Sequence, residues 1–174
     1  TNNSLDSGLV GQLTMLGYNV NAMHVHGNQI IFSTEAGGYL AGVGDFDNED
    51  LIVATQNANG QYSYSMFFDG SADGGLDDDL LLPTAFNIDA TAFISNDGTL
   101  QNGTLYFSLS DLIDVDLGNI LSLLILDGVL ISGQDVLSID IINGVWDTST
   151  YDKYFDGSDN GLTNDLILPT IFDI

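Results

Sequence analysis

Half of this chain is written twice, and that constrains its fold more than any other feature. Phe67-Phe68-Asp69-Gly70-Ser71-Ala72-Asp73-Gly74-Gly75-Leu76 recurs as Tyr154-Phe155-Asp156-Gly157-Ser158-Asp159-Asn160-Gly161-Leu162. Asp79-Leu80-Leu81-Leu82-Pro83-Thr84 recurs as Asp165-Leu166-Ile167-Leu168-Pro169-Thr170, with both prolines in the same place. Upstream, Ile30-Ile31-Phe32-Ser33 matches Leu105-Tyr106-Phe107-Ser108, and Asn48-Glu49-Asp50-Leu51 matches Gly133-Gln134-Asp135-Val136. The offset widens from 75 to 85 between these landmarks, so the second copy carries about ten extra residues within 109–132. Such self-similarity marks architectures in which one supersecondary unit stacks on its copy.

The content of each unit is β. Turn signals recur at His26-Gly27-Asn28, Asn59-Gly60, Asn96-Asp97-Gly98, Asn102-Gly103, Asp127-Gly128 and Asn143-Gly144. Asn-Gly and Asp-Gly pairs supply the positive φ angles of tight hairpins. Between them lie short β-branched and aromatic runs, read as strands at about 19–26, 29–35, 50–56 and 61–69, then 87–95, 103–109, 135–142 and 150–156. The expected fold is all-β: two tandem four-stranded antiparallel units, propeller-blade-like or β-sandwich-like, closed or extended by oligomerisation. Unit one spans about 19–86 and unit two about 87–174, with residues 1–18 a partial repeat. Leu117 to Leu126 is nearly all apolar and suits a short helix or a buried strand equally.

Charge narrows the functions. There are 25 acidic side chains against one basic, Lys153, for a net charge of −24, and no cysteine. Nucleic-acid binding needs cations to neutralise phosphates, and adhesion to an anionic membrane fails for the same reason. No apolar run is long enough to cross a bilayer. Without cysteine there is neither a disulfide framework nor a thiolate metal site. Arginine is also absent, which removes the usual clamps for developing oxyanions. Paired carboxylates could serve glycoside hydrolysis, but here the acidic clusters repeat with the fold, whereas a catalytic pair breaks such symmetry. A non-enzymatic role is expected.

Only two of the acids, Glu35 and Glu49, are glutamates; the other 23 are aspartates. Aspartate favours turns and is a common ligand of hard cations. Asp69, Asp73, Asp77 and Asp79, with their counterparts Asp156, Asp159, Asn160 and Asp165, place several oxygens within about ten residues of glycine-bracketed turn. A third acidic loop holds Asp45, Asp47, Asn48 and Asp50, and its unit-two relative contributes Asp135. The loop has the opening spacing of an EF-hand but lacks its Gly and its final Glu. A single Asp of this kind usually caps a turn through its own backbone. Clusters in a chain so poor in counter-charge point instead to Ca2+, which relieves crowded carboxylates.

Two further features bear on binding. Met23-His24-Val25-His26 on a strand would project both imidazoles to one side, a possible Cu2+ or Zn2+ site given a third ligand. The aligned positions in unit two are Ala92 and Ile94, which fits histidines satisfied beside a core equally well. Tyr62, Tyr64, Trp146 and Tyr151 could line a carbohydrate platform, although alternating strand aromatics more often pair across strands within a core.

The run Tyr154-Phe155-Asp156-Gly157-Ser158-Asp159-Asn160-Gly161-Leu162, with the Ile/Leu-aromatic-Phe-Ser strand ahead of it, resembles a tandem repeat of secreted bacterial cell-surface proteins, approximately YFDGSD-x-GL. The similarity covers most of both units and departs in the Leu-Pro-Thr insertion and the extended 109–132 segment. It implies an extracellular or cell-surface β-repeat module, propeller-like and cation-stabilised, with no catalytic motif. The expectation is a calcium-binding structural repeat protein that self-associates as a surface, matrix or filament component. The alternative is a ligand-binding module for carbohydrate or, through His24 and His26, a transition metal. Residues 6–26 resemble the stretch after the Asp-Gly-Ser turn, and Ile174 falls where another unit's first strand would begin. Subunits are therefore expected to join as a homo-oligomer or head-to-tail filament, the 163–174 segment of one lying beside the 19–33 hairpin of the next.

Overall fold

The computed structural model describes residues 3–70, 87–110, 125–126, 129–130 and 135–155. It is built mostly of antiparallel strands, as expected, with one short helix. Unit one contains β1 (Val20–His26), β2 (Gln29–Thr34), β3 (Gly38–Leu40), β4 (Gly44–Phe46), β5 (Leu51–Gln56) and β6 (Tyr62–Phe68). Unit two contains β7 (Ile88–Ser95), β8 (Gly103–Leu109), β9 (Ile125–Leu126), β10 (Val129–Leu130), β11 (Val136–Ile142) and β12 (Val145–Phe155).

Each unit is a four-stranded meander, β1-β2-β5-β6 in the first and β7-β8-β11-β12 in the second. The repeat is thus one of topology as well as sequence. Both units interrupt the meander between second and third strand with a small hairpin, β3–β4 in one and β9–β10 in the other. The interruption covers residues 35–50 in unit one and 110–135 in unit two, 16 against 26, which accounts for the ten-residue widening of the offset.

The units stack face to face. Ile31, Leu51, Val53 and Phe68 of sheet one share a core with Phe93, Leu105, Phe107, Leu137 and Ile139 of sheet two. Because side chains alternate along a strand, the other face of sheet one carries Ile30, Phe32, Ile52 and Ala54. That face is covered by Leu9 and Leu13 of a helix, α1 (Asn3–Met15), and by Leu40 and Phe46 of the β3–β4 hairpin. Sheet one is therefore a middle layer. Each large side chain so buried contributes about 1.5–3 kcal/mol.

The helix was not foreseen in residues 1–18. Gly8 and Gly11 lower its propensity, and it forms because Leu9 and Leu13, one turn apart, both reach the apolar face of sheet one. Its end is clearly signalled. Gly17 sits at φ 90°, the Gly17 amide donates to the Thr14 carbonyl at 3.0 Å, and the Tyr18 amide donates to the Leu13 carbonyl at 2.9 Å. These two bonds form a Schellman motif, which satisfies carbonyls the helix leaves open.

Strand bounds agree with the sequence reading to within a residue or two at all but one end. β12 begins at Val145 rather than about 150. Asn143 and Gly144, at φ 53° and 78°, form a two-residue loop, so pairing resumes at once. The polar run that follows is a bulge in register between Ser138 and Asp140. There the Asp147 carboxylate accepts from the Ser149 hydroxyl at 2.6 Å, and the Thr150 hydroxyl accepts the Asp140 amide at 2.8 Å. Of the 117–126 run, Ile125 and Leu126 are strand; its remainder lies outside the described residues.

Candidate functional site

The acidic loop of unit one lies between the β3–β4 hairpin and β5, and its side chains have different surroundings. Asp45, on β4, and Asp47 are exposed. Glu49 and Asp50 are buried, at 0% and 4% exposure. The Asp50 carboxylate acts as a clasp. One oxygen accepts the Asp47 amide at 2.8 Å, and the other accepts the buried Gly70 amide at 2.9 Å. It joins the turn before β5 to the chain leaving β6. Burial pushes its pKa up to about 6, aided by the charges of Asp69 and Asp47 and opposed by the two amides. The Asn48 carbonyl accepts the Ile88 amide at 3.1 Å and the Ser33 hydroxyl at 3.2 Å, so the same loop ties unit one to the first strand of unit two.

Asp135 stands at the equivalent place in unit two, and its solution is different. The Lys153 ammonium lies 3.1 Å from its carboxylate, with both side chains nearly or fully buried. The only lysine of the chain is spent inside the fold. Unit one has Met66 at the position that aligns with Lys153.

Asp73, Asp77, Asp79, Asp156, Asp159, Asn160 and Asp165 lie outside the described residues, as does the 163–174 segment. Among the described residues, no three His, Asp or Glu side chains gather into a group able to hold a metal ion. Asp97 illustrates the capping role open to a lone turn aspartate. It accepts from the Thr99 hydroxyl at 2.7 Å, the Thr99 amide at 2.9 Å and the Asn102 side chain at 2.7 Å, bonds that lower its pKa.

His24 and His26 do project to one side of β1, toward sheet two. His26 Nε2 is 3.0 Å from the Gly98 carbonyl, and its ring meets Phe93 edge-on. Burial, reinforced by the neighbouring His26, lowers the pKa of His24. Its proton is thus bound more weakly in the folded than in the unfolded chain. Stability should fall as pH drops below the ordinary value of 6.5. Thermal melts from pH 7.5 to 5 should show a shallower decline in His24→Gln than in the unaltered chain; parallel curves would refute the assignment.

The aromatic candidates are partly buried and pack against the two cores. Tyr62 and Tyr64 pack against the core beneath α1, and Tyr64 meets Phe32 edge-on at 6.3 Å. Tyr151 stacks on Phe107 at 6.2 Å, and Trp146 packs on Phe67 and Phe68 while its indole N–H donates to the Phe67 carbonyl at 3.0 Å. Tyr62 and Tyr64 thus belong to one core and Trp146 and Tyr151 to the other.

Sequence reasoning missed the outward face of sheet two. Ala90, Ala92, Tyr106, Ser108 and Val136 line a shallow hollow of about 140 Å³, and Tyr154 meets Tyr106 edge-on at 4.7 Å. The signal was available: Ala90, Tyr106, Val136 and Tyr154 align with Ala22, Ile31, Leu51 and Phe67 of unit one, which are apolar and packed against the second unit. Compared with known proteins, the chain matches no family model, no curated protein and no solved structure.

Proposed function

We propose that this protein is an extracellular, calcium-binding structural repeat module that self-associates as a surface, matrix or filament component. The observation that carries the reading is the face-to-face stacking of two homologous sheets in a chain of net charge −24. Stacking of this kind can continue from unit to unit. Bringing such anionic units together, however, raises their mutual repulsion unless cations accumulate between them. Of the candidate ligands, Asp50 and Asp135 already have internal partners, which leaves Asp45, Asp47 and Asn48 and the Asp-rich stretches around Asp69, Asp73, Asp77 and Asp79 and around Asp156, Asp159, Asn160 and Asp165. The extracellular setting rests on the resemblance of the repeat.

Melting temperature and solution mass should be measured with Ca2+, with Mg2+ and with a chelator, all at matched ionic strength. Ca2+ at a hundredfold over its dissociation constant contributes about 2.7 kcal/mol per site, enough to raise the melting temperature by several degrees. A larger particle should appear with it. If Ca2+ and ionic-strength-matched Na+ gave the same melting temperature and the same mass, the reading would be wrong.

A further inference from the structure

The chain contains four Asn-Gly pairs, beginning at Asn59, Asn102, Asn143 and Asn160. The last lies outside the described residues; the other three sit at hairpin ends, yet the fold holds them differently. Asn-Gly is open to attack on its own side chain, because glycine brings no Cβ to crowd the amide nitrogen that follows the asparagine. Once that nitrogen gives up its proton to hydroxide, it attacks the asparagine Cγ, and the side-chain nitrogen leaves as ammonia. The resulting succinimide takes up water and opens at either carbonyl, to aspartate or to isoaspartate. An amide that donates a hydrogen bond holds its proton, so the reaction waits for that bond to open.

Asn102 is locked. Its side-chain nitrogen donates to the Asp97 carboxylate at 2.7 Å, and its oxygen accepts the Asn143 amide at 2.8 Å. Gly103 is buried in β8, paired with Ser95 on one side and Ile141 on the other. Asn143 is exposed, but its turn is stitched to the β7–β8 loop: the Gly144 amide donates to the Gln101 carbonyl at 2.9 Å and the Asn143 amide to Asn102. Asn59 is also exposed, and the bonds that shape its loop stay within residues 57–61. The Gly60 amide donates to the Asn57 carbonyl at 3.0 Å, and the Asn57 side-chain oxygen accepts the Asn59 and Gln61 amides at 2.9 and 3.0 Å. Bonds confined to a hairpin tip open without disturbing the sheet behind it.

We infer that Asn59-Gly60, at the tip of the β5–β6 hairpin, is a site of spontaneous deamidation in the folded protein, and that Asn102-Gly103 is shielded from the same chemistry until the fold opens. Reaction at Asn59 adds a carboxylate to a chain already at −24 and, through isoaspartate, routes the loop's backbone through the side-chain carbon. At Asn102 it would instead set a new carboxylate against that of Asp97.

The test holds the full chain at mildly alkaline pH, in native buffer and in urea. Samples are digested with pepsin at intervals, and each Asn-Gly peptide is followed by mass spectrometry. In urea the three sites should react at similar rates. In native buffer Asn59 should react about tenfold faster than Asn143, which has two inter-hairpin bonds to break, and Asn102 should stay intact over the same period. Asn57→Ala removes the oxygen that accepts two loop amides, and should speed Asn59 severalfold while leaving Asn102 and Asn143 unchanged. Equal native rates at the three sites, Asn143 or Asn102 ahead of Asn59, or no acceleration in Asn57→Ala would overturn the inference.

Discussion

Lys153→Met should lower the free energy of unfolding by about 3–5 kcal/mol, a large share of what a domain of this size has. The lysine is 9% exposed and its partner Asp135 is fully buried, with 3.1 Å between nitrogen and oxygen. Truncating one partner of a buried pair leaves the other charge in a medium that solvates it poorly, and this loss exceeds the net worth of the pair. The double variant Lys153→Met, Asp135→Asn removes both charges and should recover most of the loss. Unit one already manages without a cation here, with Met66 in the lysine's place and Asp50 held by backbone amides. Urea denaturation of the three proteins, with and without Ca2+, separates two roles for Asp135. If lysine is its counter-charge, Ca2+ shifts the single variant and the unaltered chain equally. If Asp135 serves a cation site, Ca2+ should rescue the single variant selectively. A single variant within 1 kcal/mol of the unaltered chain would show that the pair stabilises nothing.

Much of the fold was legible because the turn chemistry is explicit. Asn143-Gly144 reads directly as the two-residue loop that joins β11 to β12, and the Ile-aromatic runs between such turns could only be strands. The stacking order was also written in the sequence, although less obviously. Ile30-Ile31-Phe32 and Leu51-Ile52-Val53-Ala54 run apolar without alternation, as strands covered on both faces do. Their unit-two counterparts interpose Tyr106 and Ser138, as strands with one outward face do. That contrast places unit one in the middle of the stack.

What the sequence hid was decided by contacts between distant residues. α1 has two glycines and stands only by its seat on sheet one, a tertiary effect that local propensity cannot reveal. The pairing of Lys153 with Asp135 depends on the register of β12 against β11, which the polar bulge after Asp147 offsets by several residues. His24 and His26 were correctly placed on one side of their strand, but that this side meets Phe93 and the Gly98 carbonyl follows only from stacking. Likewise, the aspartates appear alike along the chain. Burial distinguishes Asp50, clasped by two amides, from Asp97, an exposed cap.

Asp50 is the most direct test of that distinction. Asp50→Ala strips the acceptor from the buried Gly70 amide and from the Asp47 amide that shapes the turn before β5. Leaving a buried donor unpaired costs about 1–3 kcal/mol, part of which is offset at neutral pH by removing a charge crowded by Asp47 and Asp69. The expected loss is about 2 kcal/mol at pH 7.5. The pH dependence carries a definite sign. The folded carboxyl has a pKa of about 6 against an ordinary 3.8, so the native state binds the proton more tightly than the unfolded chain. Stability contributed by this group therefore rises as pH falls through 6 toward 3.8, by about 1–3 kcal/mol allowing for solvent screening. Asp50→Ala lacks this gain, so its deficit should widen between pH 7.5 and 4.5. Asp50→Asn keeps one acceptor and no charge, and should fall between the two. Were the deficit of the alanine variant to shrink on acidification, the carboxylate would be stabilised in the fold as an ion rather than held there against its burial.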